Sequence, residues 1–509
     1  MLSKSLHTLR IIALIAALAV LLSSCGLIII NHPSDTGDTK DTTDGTEPVE
    51  TDDPAENEIK SLEKAIEYLS ELESRDMGGK TISIVEHSTW QDKYSEIYGV
   101  YGNVTAERDK LVEEKYNVKI ERVHKSTDTI IKELLKAKRS KEAYADLLLI
   151  PQSYVGFLQK NDILYNVAAL PGTDYTKPYF DQNAMLQATM GNETYAAIGD
   201  ASKLVESYYC MFVNKDMLRE LELDIPYLDV YQGKWTYEKF SEYVKAINSV
   251  YAKTDSETGG KASTNQKPEK YALGFEFGST KELINIMFFS TAQNYFTCKE
   301  KELPKRTFDT ELTESYIEFI SSLISDETAA FDTSVTGPIA ISAFTEGKIP
   351  FYIGKVSDLF QLTNKGLDWG IIPFPKANES QSGYGSVTSG TSSVYAVPSQ
   401  PEQDEDIGLI IQALNAAYYG AYNESLYEQL TLYFISDGDT LNMLDLIYGG
   451  GLYDLSEMFS DIPAIRNATF DVITSTAEGS GSIEDNFKKS EYAMNLYMKK
   501  YFKIDEETE

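Results

Sequence analysis

Residues 208–248, YYCMFVNKDMLRELELDIPYLDVYQGKWTYEKFSEYVKAIN, decide how the chain folds. The opening run, 208–213, is apolar and aromatic throughout and too short for a helix, so it predicts a buried strand. Asn214 stands where a helix N-cap belongs, because its side-chain oxygen accepts from the free amides of a first turn. Met217, Leu218 and Leu221 then fall at helical spacing, which predicts a helix over 215–222 closed ahead of Pro226. A tyrosine-bearing loop leads to Trp235. Thr236 is the next N-cap, and Phe240, Val244 and Ile247 give the following helix one apolar face.

Upstream of this stretch the same alternation of strand and helix repeats. A short amphipathic helix over 61–74 leads into Gly78 and Gly79. Strands are expected at 81–85, 118–123 and 145–150, with helices over about 106–115 and 127–139 between them. The third strand, apolar from Leu147 to Ile150, has the pattern of a strand covered on both faces of a parallel sheet. Strands alternating with helices in this way predict an open α/β sheet, whose ligands sit at the carboxyl ends of the strands. Trp90 and the loop 151–154 fall at such ends. Further helices are expected over 282–293, 311–325 and from 424 onward, with another strand at 271–277. The run 448–453, YGGGLY, is either a helix-terminating turn or a loop that brings backbone close to a ligand.

Composition narrows the function. A chain of 509 residues with 42% hydrophobic content exceeds a single core, so two or more lobes are expected. A net charge of −33 argues against nucleic acid, whose phosphates need clustered Lys and Arg. Only four histidines occur, and His7 and His32 fall outside any folded body. The remaining pair, His87 and His124, has no metal-ligand spacing and no cysteine pair nearby, so neither a zinc site nor a Ser-His-Asp triad has support. Paired carboxylates, as in glycosidases, stay open among 79 acidic residues. The 34 tyrosines suit surfaces that grip polyhydroxylated ligands, and equally suit half-buried strands. No phosphate-binding glycine motif is present, and no cofactor or metal is expected. Cys25, Cys210 and Cys298 make no disulfide framework, and Cys210 reads as a small buried hydrophobe.

The first residues read as an address. Lys4 and Arg10 precede an apolar stretch over 11–22, which is signal-peptide length and shorter than a membrane span. Leu22-Ser23-Ser24-Cys25 then looks like a bacterial lipobox, in which the Cys25 thiol receives a diacylglyceryl group. Cleavage removes two basic residues and no acidic one, taking the net charge from −33 to −35. Residues 31–58 are Asp, Thr, Gly and Pro with almost nothing large and apolar, the composition of a disordered tether. As a flexible coil it would span about 30 Å. Asp35, Asp38, Asp41 and Asp44 recur every third residue, whereas a calcium loop needs alternate positions.

Several blocks of the body resemble one family. EEKYNVKI (113–120), ADLLLIP (145–151), NETYAAIGD (192–200), FTEGKIPFYIGKVSDL (344–359) with LDWGIIPFP (367–375), and VTSGTSSVYAV (387–397) follow the order and pattern of the extracellular solute-binding proteins of ABC importers, in the group rich in sugar-binding lipoproteins. The strand–cap–helix–Trp order of 208–248 is similar too. One departure is Ser357, where that family often has a Trp that stacks on a sugar ring; Tyr352 and Trp369 lie nearby, Trp369 also fitting a core position.

The resemblance implies an α/β, periplasmic-binding-protein-like type II fold with two lobes, a multi-strand hinge and a ligand cleft between them. The division it implies is 1–24 signal peptide; 25–59 lipidated cysteine and acidic tether; 60–198 with 376–421 the first lobe; 199–375 with 422–509 the second. Crossings are expected near Gly199, Pro375 and Tyr422. It further implies capture of a small solute, a carbohydrate or oligosaccharide, by a monomer anchored through Cys25 to the outer face of the cell membrane, and delivery to ABC permease subunits without covalent chemistry. Expected ligand-binding residues are Trp90, Tyr154, Asp200, Glu276, Tyr352, Ser357, Ser389 and Tyr448. The alternatives are a cell-surface glycan-active enzyme and a sensor or adhesion lipoprotein.

Overall fold

Helix α1, Pro54–Glu71, begins inside the stretch expected as tether, a start that proline's fixed φ suits. There follow β1 (Lys80–His87), α2 (Gly102–Tyr116), β2 (Val118–Lys125), α3 (Thr127–Ser140) and β3 (Leu147–Pro151). Local chemistry sets these bounds. The Ser126 hydroxyl accepts from the Thr129 amide at 3.3 Å to cap α3, Ile130 and Leu134 bury its apolar face, and Lys141 ends it with φ 58°.

The deciding stretch folds as β4 (Tyr209–Asn214), α4 (Lys215–Glu220) and α5 (Tyr237–Glu257). Asn214 is the N-cap, accepting from the Met217 amide at 3.0 Å. Thr236 caps α5 through the Lys239 amide at 3.3 Å. The segment expected as a loop instead holds a short helix, Tyr227–Tyr231, because Pro226 is compatible with a helix start and Tyr227 and Val230 find buried places. Beyond it lie β5 (Leu273–Phe275), β6 (Phe351–Lys355), β7 (Trp369–Ile372), β8 (Ser386–Val387) and β9 (Ser393–Ala396). The tail carries α6 (Ile407–Ala417), α7 (Ala421–Gln429), α8 (Gly438–Gly449), β10 (Gly451–Leu452) and α9 (Leu455–Met458). This computed structural model describes residues 54–87, 102–202, 205–257, 270–277, 279–299, 302–307, 309–326, 338–362, 366–400, 406–435 and 437–501. Cys25, the signal peptide and Trp90 lie outside the described residues.

Two four-stranded sheets organise the body. The first has the order β9-β3-β1-β2, with β1 parallel to β2 and β3, and β9 antiparallel to β3. The second has the order β7-β4-β6-β5, with β5 parallel to β6, and β4 antiparallel to both its neighbours. Both belong to one compact unit, Asp52–Glu509. Trp235 anchors the second sheet's core: it is fully buried, donates from its indole nitrogen to the Pro373 carbonyl at 3.0 Å, and packs on Phe240, Tyr243 and Phe351.

The first sheet hides an ionic network instead. Arg122 on β2 is hydrogen-bonded to both oxygens of Asp109 on α2, at 2.6 and 2.8 Å, and pairs with Glu86 on β1. Tyr418, just past α6, donates to Asp109 at 2.7 Å. Burying four polar groups together is tolerable because each satisfies the next.

Three short segments lie side by side where the chain passes between the sheets. Tyr208 bridges Thr388 in antiparallel sense, the Ser389 amide donates to the Ser207 carbonyl at 2.9 Å, and β8 pairs in parallel with β10. Gly451 is flush against the Tyr208 ring, so a Cβ there would overlap it. The run 448–453 therefore ends α8 and then enters this strip. Helix α7 packs beside α1 and α2, and the Tyr422 hydroxyl lies 3.5 Å from Thr105 Oγ1 of α2, while α8 packs on the second sheet, against β7. Among the described residues no helix is long and apolar enough to cross a membrane.

Candidate functional site

The carboxyl ends of β5 and β6 and the amino end of antiparallel β4 share one edge of the second sheet, with Lys355 directly opposite Tyr209. Glu276 follows β5 immediately, and a tight 3-10 turn, Val356–Gln361, follows β6. That turn folds Asp358 back over the strand it has just left. Its Oδ2 accepts from the Lys355 amide at 3.1 Å and from the Tyr352 hydroxyl at 3.0 Å, while Oδ1 accepts from Gln361 at 3.1 Å. The fold-back needs Gly354, since a Cβ at that position would overlap Asp358 Oδ2. Lys355 reaches Glu276 with its Nζ 3.6 Å from Oε1. Burial, and then the neighbouring Asp358, raises the Glu276 carboxyl well above its usual range; burial raises Asp358 as well, against the pull of Lys355.

The first sheet presents its own edge. β3 ends at Pro151, opposite Ser393 at the start of β9, and His87 at the end of β1 lies 2.8 Å from Ser393 Oγ. Buried Gln152 donates to Thr388 Oγ1 at 2.9 Å and to the Ser389 carbonyl at 2.8 Å. The two edges meet at Ser389, whose hydroxyl accepts from Tyr209 at 3.3 Å. Helix α9 closes the group by packing on the turn 152–154. Its Glu457 carboxylate lies over Gly390 and Ser153; a Cβ on Gly390 would stand 3.2 Å from Glu457 Oε2 and 3.4 Å from Ser153 Cβ. Only 7% of Glu457 is exposed. Burial, and then Asp454, pushes its carboxyl up to about 8, and burial pushes Asp454 up to about 6.

Of the residues expected from sequence, Glu276, Tyr352, Ser357 and Ser389 come together here, with Tyr154 on the adjoining turn. Tyr352 is buried and spends its hydroxyl on Asp358, so it braces the site from beneath. Asp200 and Tyr448 are elsewhere. They share a pocket of about 270 Å³ with Phe180, Asp181, Tyr419 and Asn423, where the Gly420 amide donates to Asp200 at 3.3 Å. The sequence reading missed Ser153, Tyr209, Asp358, Gly390 and Glu457. For Asp358 a signal existed, its place one residue after Ser357 in the block FTEGKIPFYIGKVSDL; for Glu457 there was none. Among the described residues, Cys210 and Cys298 are free, buried thiols.

Residues 108–407, more than half of the chain, match the model of the bacterial extracellular solute-binding protein family. No curated protein matches the sequence. Similar solved structures include a family 1 extracellular solute-binding protein from Bifidobacterium longum subsp. infantis, at 14% identity and TM-score 0.51 over 82% of this chain and 100% of that one. A cyclo/maltodextrin-binding protein complexed with maltotetraose matches at 15% identity and TM-score 0.52, over 83% and 99%. The maltose-binding periplasmic protein of Listeria monocytogenes, in complex with maltose, matches at 13% identity and TM-score 0.51, over 82% and 98%. At such identities these likenesses speak to the fold, which is that of periplasmic binding proteins. With strand ends from two sheets meeting along a paired crossover, and a family model spanning 108–407, the chain belongs to the bacterial extracellular solute-binding proteins.

Proposed function

We propose that this protein is the lipid-anchored capture subunit of an ABC importer, binding a carbohydrate or oligosaccharide between its two sheets and handing it to permease subunits. The two sheets are then the cores of two lobes, and the signal peptide and Cys25 place the protein on the outer face of the membrane. The observation that carries the reading is the convergence of Ser153, Ser389, Tyr209, Glu276 and Glu457 on one groove from both sheets. Sugars are recognised by such carboxylates and hydroxyls, with aromatic faces under the ring. The maltotetraose and maltose held by two proteins of like fold support the choice of cargo class.

Hydrolysis of a glycan is disfavoured for the Glu276–Asp358 pair. Lys355 already pairs with Glu276 at 3.6 Å, and the Tyr352 hydroxyl, the Lys355 amide and Gln361 occupy Asp358, so neither carboxyl is free to serve as acid or nucleophile across a glycosidic bond.

Thermal unfolding against a panel of mono- and oligosaccharides tests the reading. A sugar at a hundredfold its dissociation constant should stabilise the native state by about 2.7 kcal/mol. A well-folded sample that no saccharide stabilises would remove carbohydrate as the cargo. Retention of the chain on membranes, lost on Cys25→Ala, checks the anchor.

A further inference from the structure

Three carboxyl groups approach the groove from three separate segments: Glu276 after β5, Asp358 after β6 and Glu457 on α9. Burial first, and then Glu276, Glu457 and Asp358, raises the Tyr209 hydroxyl above its usual range. Among the described residues Lys355 is the one cation in ion-pair contact with any of them, and it serves Glu276. Asp358 is occupied by three hydrogen bonds from its own turn. Glu457 is different. It is nine-tenths buried, and its carboxylate makes no hydrogen bond or ion pair among the described residues. Buried carboxylates are ordinarily paired, because desolvation without a partner is costly. Here Oε2 of the unpartnered carboxylate faces Gly390 and Ser153, close enough that a Cβ on residue 390 would stand 3.2 Å from Glu457 Oε2 and 3.4 Å from Ser153 Cβ.

The other titratable groups about Glu457 are Asp454 on its own helix, Tyr295 beside it and Tyr209 on β4, none of them a cation at neutral pH; His87 stands at the end of β1, bound to Ser393. A bare metal ion is a poor partner for Glu457. Among the described residues no three acidic, histidine or cysteine side chains converge closely enough to hold one. Spread carboxylates with hydroxyls between them suit a cation carried on a larger polar body.

Resting on the reading of this groove as the solute site, we propose that the solute is a saccharide bearing a free amine, whose ammonium lies against Glu457 while neighbouring hydroxyls meet Ser389, Ser153 and the Glu276–Asp358 pair. An ammonium beside Glu457 drives the carboxyl's proton off to solvent, and the ammonium–carboxylate hydrogen bond so formed supplies the partner that Glu457 lacks; charge assistance makes it stronger than the hydroxyl contact a neutral sugar offers.

Titration calorimetry on the protein at pH 7 decides this, using glucosamine- and galactosamine-containing mono- and oligosaccharides, each beside its N-acetylated and its hydroxyl counterpart. The free-amine member should bind about tenfold or more tightly than either counterpart. Glu457→Gln should bring that ratio close to one, chiefly through lost affinity for the free-amine member. Glu276→Gln, on a separate segment, is the second variant should Glu457→Gln fail to fold, and it should lower the ratio too. Equal or tighter binding of the neutral counterparts would overturn the amine and leave the carbohydrate reading standing. An unchanged ratio in both variants would also overturn it. Binding by no member of the panel would overturn both readings.

Discussion

Glu457 is the residue whose protonation most directly reports the state of the groove. A glutamate ionises near its ordinary value of 4.5 in an unfolded chain, whereas burial beside Asp454 pushes the native carboxyl up to about 8. Between those values the native state keeps a proton that the unfolded state has lost, so stability is full below pH 4.5 and falls as pH rises toward 8. Glu276 and Asp358 shift the same way and steepen the fall. Glutamine carries no such proton. The Glu457→Gln variant should therefore gain on the native protein as pH is raised, its urea midpoint standing furthest above the wild type at pH 8. A midpoint difference that stays constant from pH 5 to pH 8 would show that the native carboxyl titrates normally. Gly390 offers a complementary probe. A Cβ there would stand 3.2 Å from Glu457 Oε2 and 3.4 Å from Ser153 Cβ, so Gly390→Ala should lower both sugar affinity and the thermal transition, and a variant with both unchanged would show that the two side chains give way.

At the scale of elements, the Arg122 network ties β1, β2, α2 and the end of α6 into one block. Removing the guanidinium leaves Asp109 and Glu86 buried without their cation, which should cost about 3–5 kcal/mol for Arg122→Leu in a denaturant titration. A loss below about 1 kcal/mol would mean that water enters and solvates the pair. Elements of this kind were legible in the sequence where one short window held the whole instruction. Asn214 could be read as an N-cap because strand, cap and first turn are contiguous, and Trp235 with Thr236 marked the next helix for the same reason. What could not be read was pairing over distance. Nothing in SSVYA announces that β9 lies antiparallel to β3, and Glu457 is one acid among 79, on a helix of four residues. Its place against Gly390 and Ser153 is set by segments far from it in sequence. Asp200 was placed near the cleft by its position at a crossover and Tyr448 by its glycine-rich loop; the two line one pocket together with Phe180 and Tyr419.

For the molecule as a whole, solute capture through hinge closure should register in solution scattering as a smaller radius of gyration when the stabilising sugar is added. An unchanged scattering curve at saturating sugar would mean that binding occurs without closure. The body around that motion is acidic, and the charge of −33 keeps an exposed groove from collecting nucleic acid or settling on anionic lipid. The strip formed by Ser207–Tyr208, β8 and β10 has a mechanical meaning beyond joining the sheets. Three backbones laid side by side and cross-linked by hydrogen bonds behave like a strip of sheet metal, yielding when flexed across its flat and resisting shear or twist within its plane. Such a strip leaves the two halves one soft rotation and stiffens the others, so their outer rims return to the same mutual register each time it bends. A membrane partner that reads the register of those rims needs no contact with the cargo, which frees the groove to change its chemistry while the docking faces stay as they are.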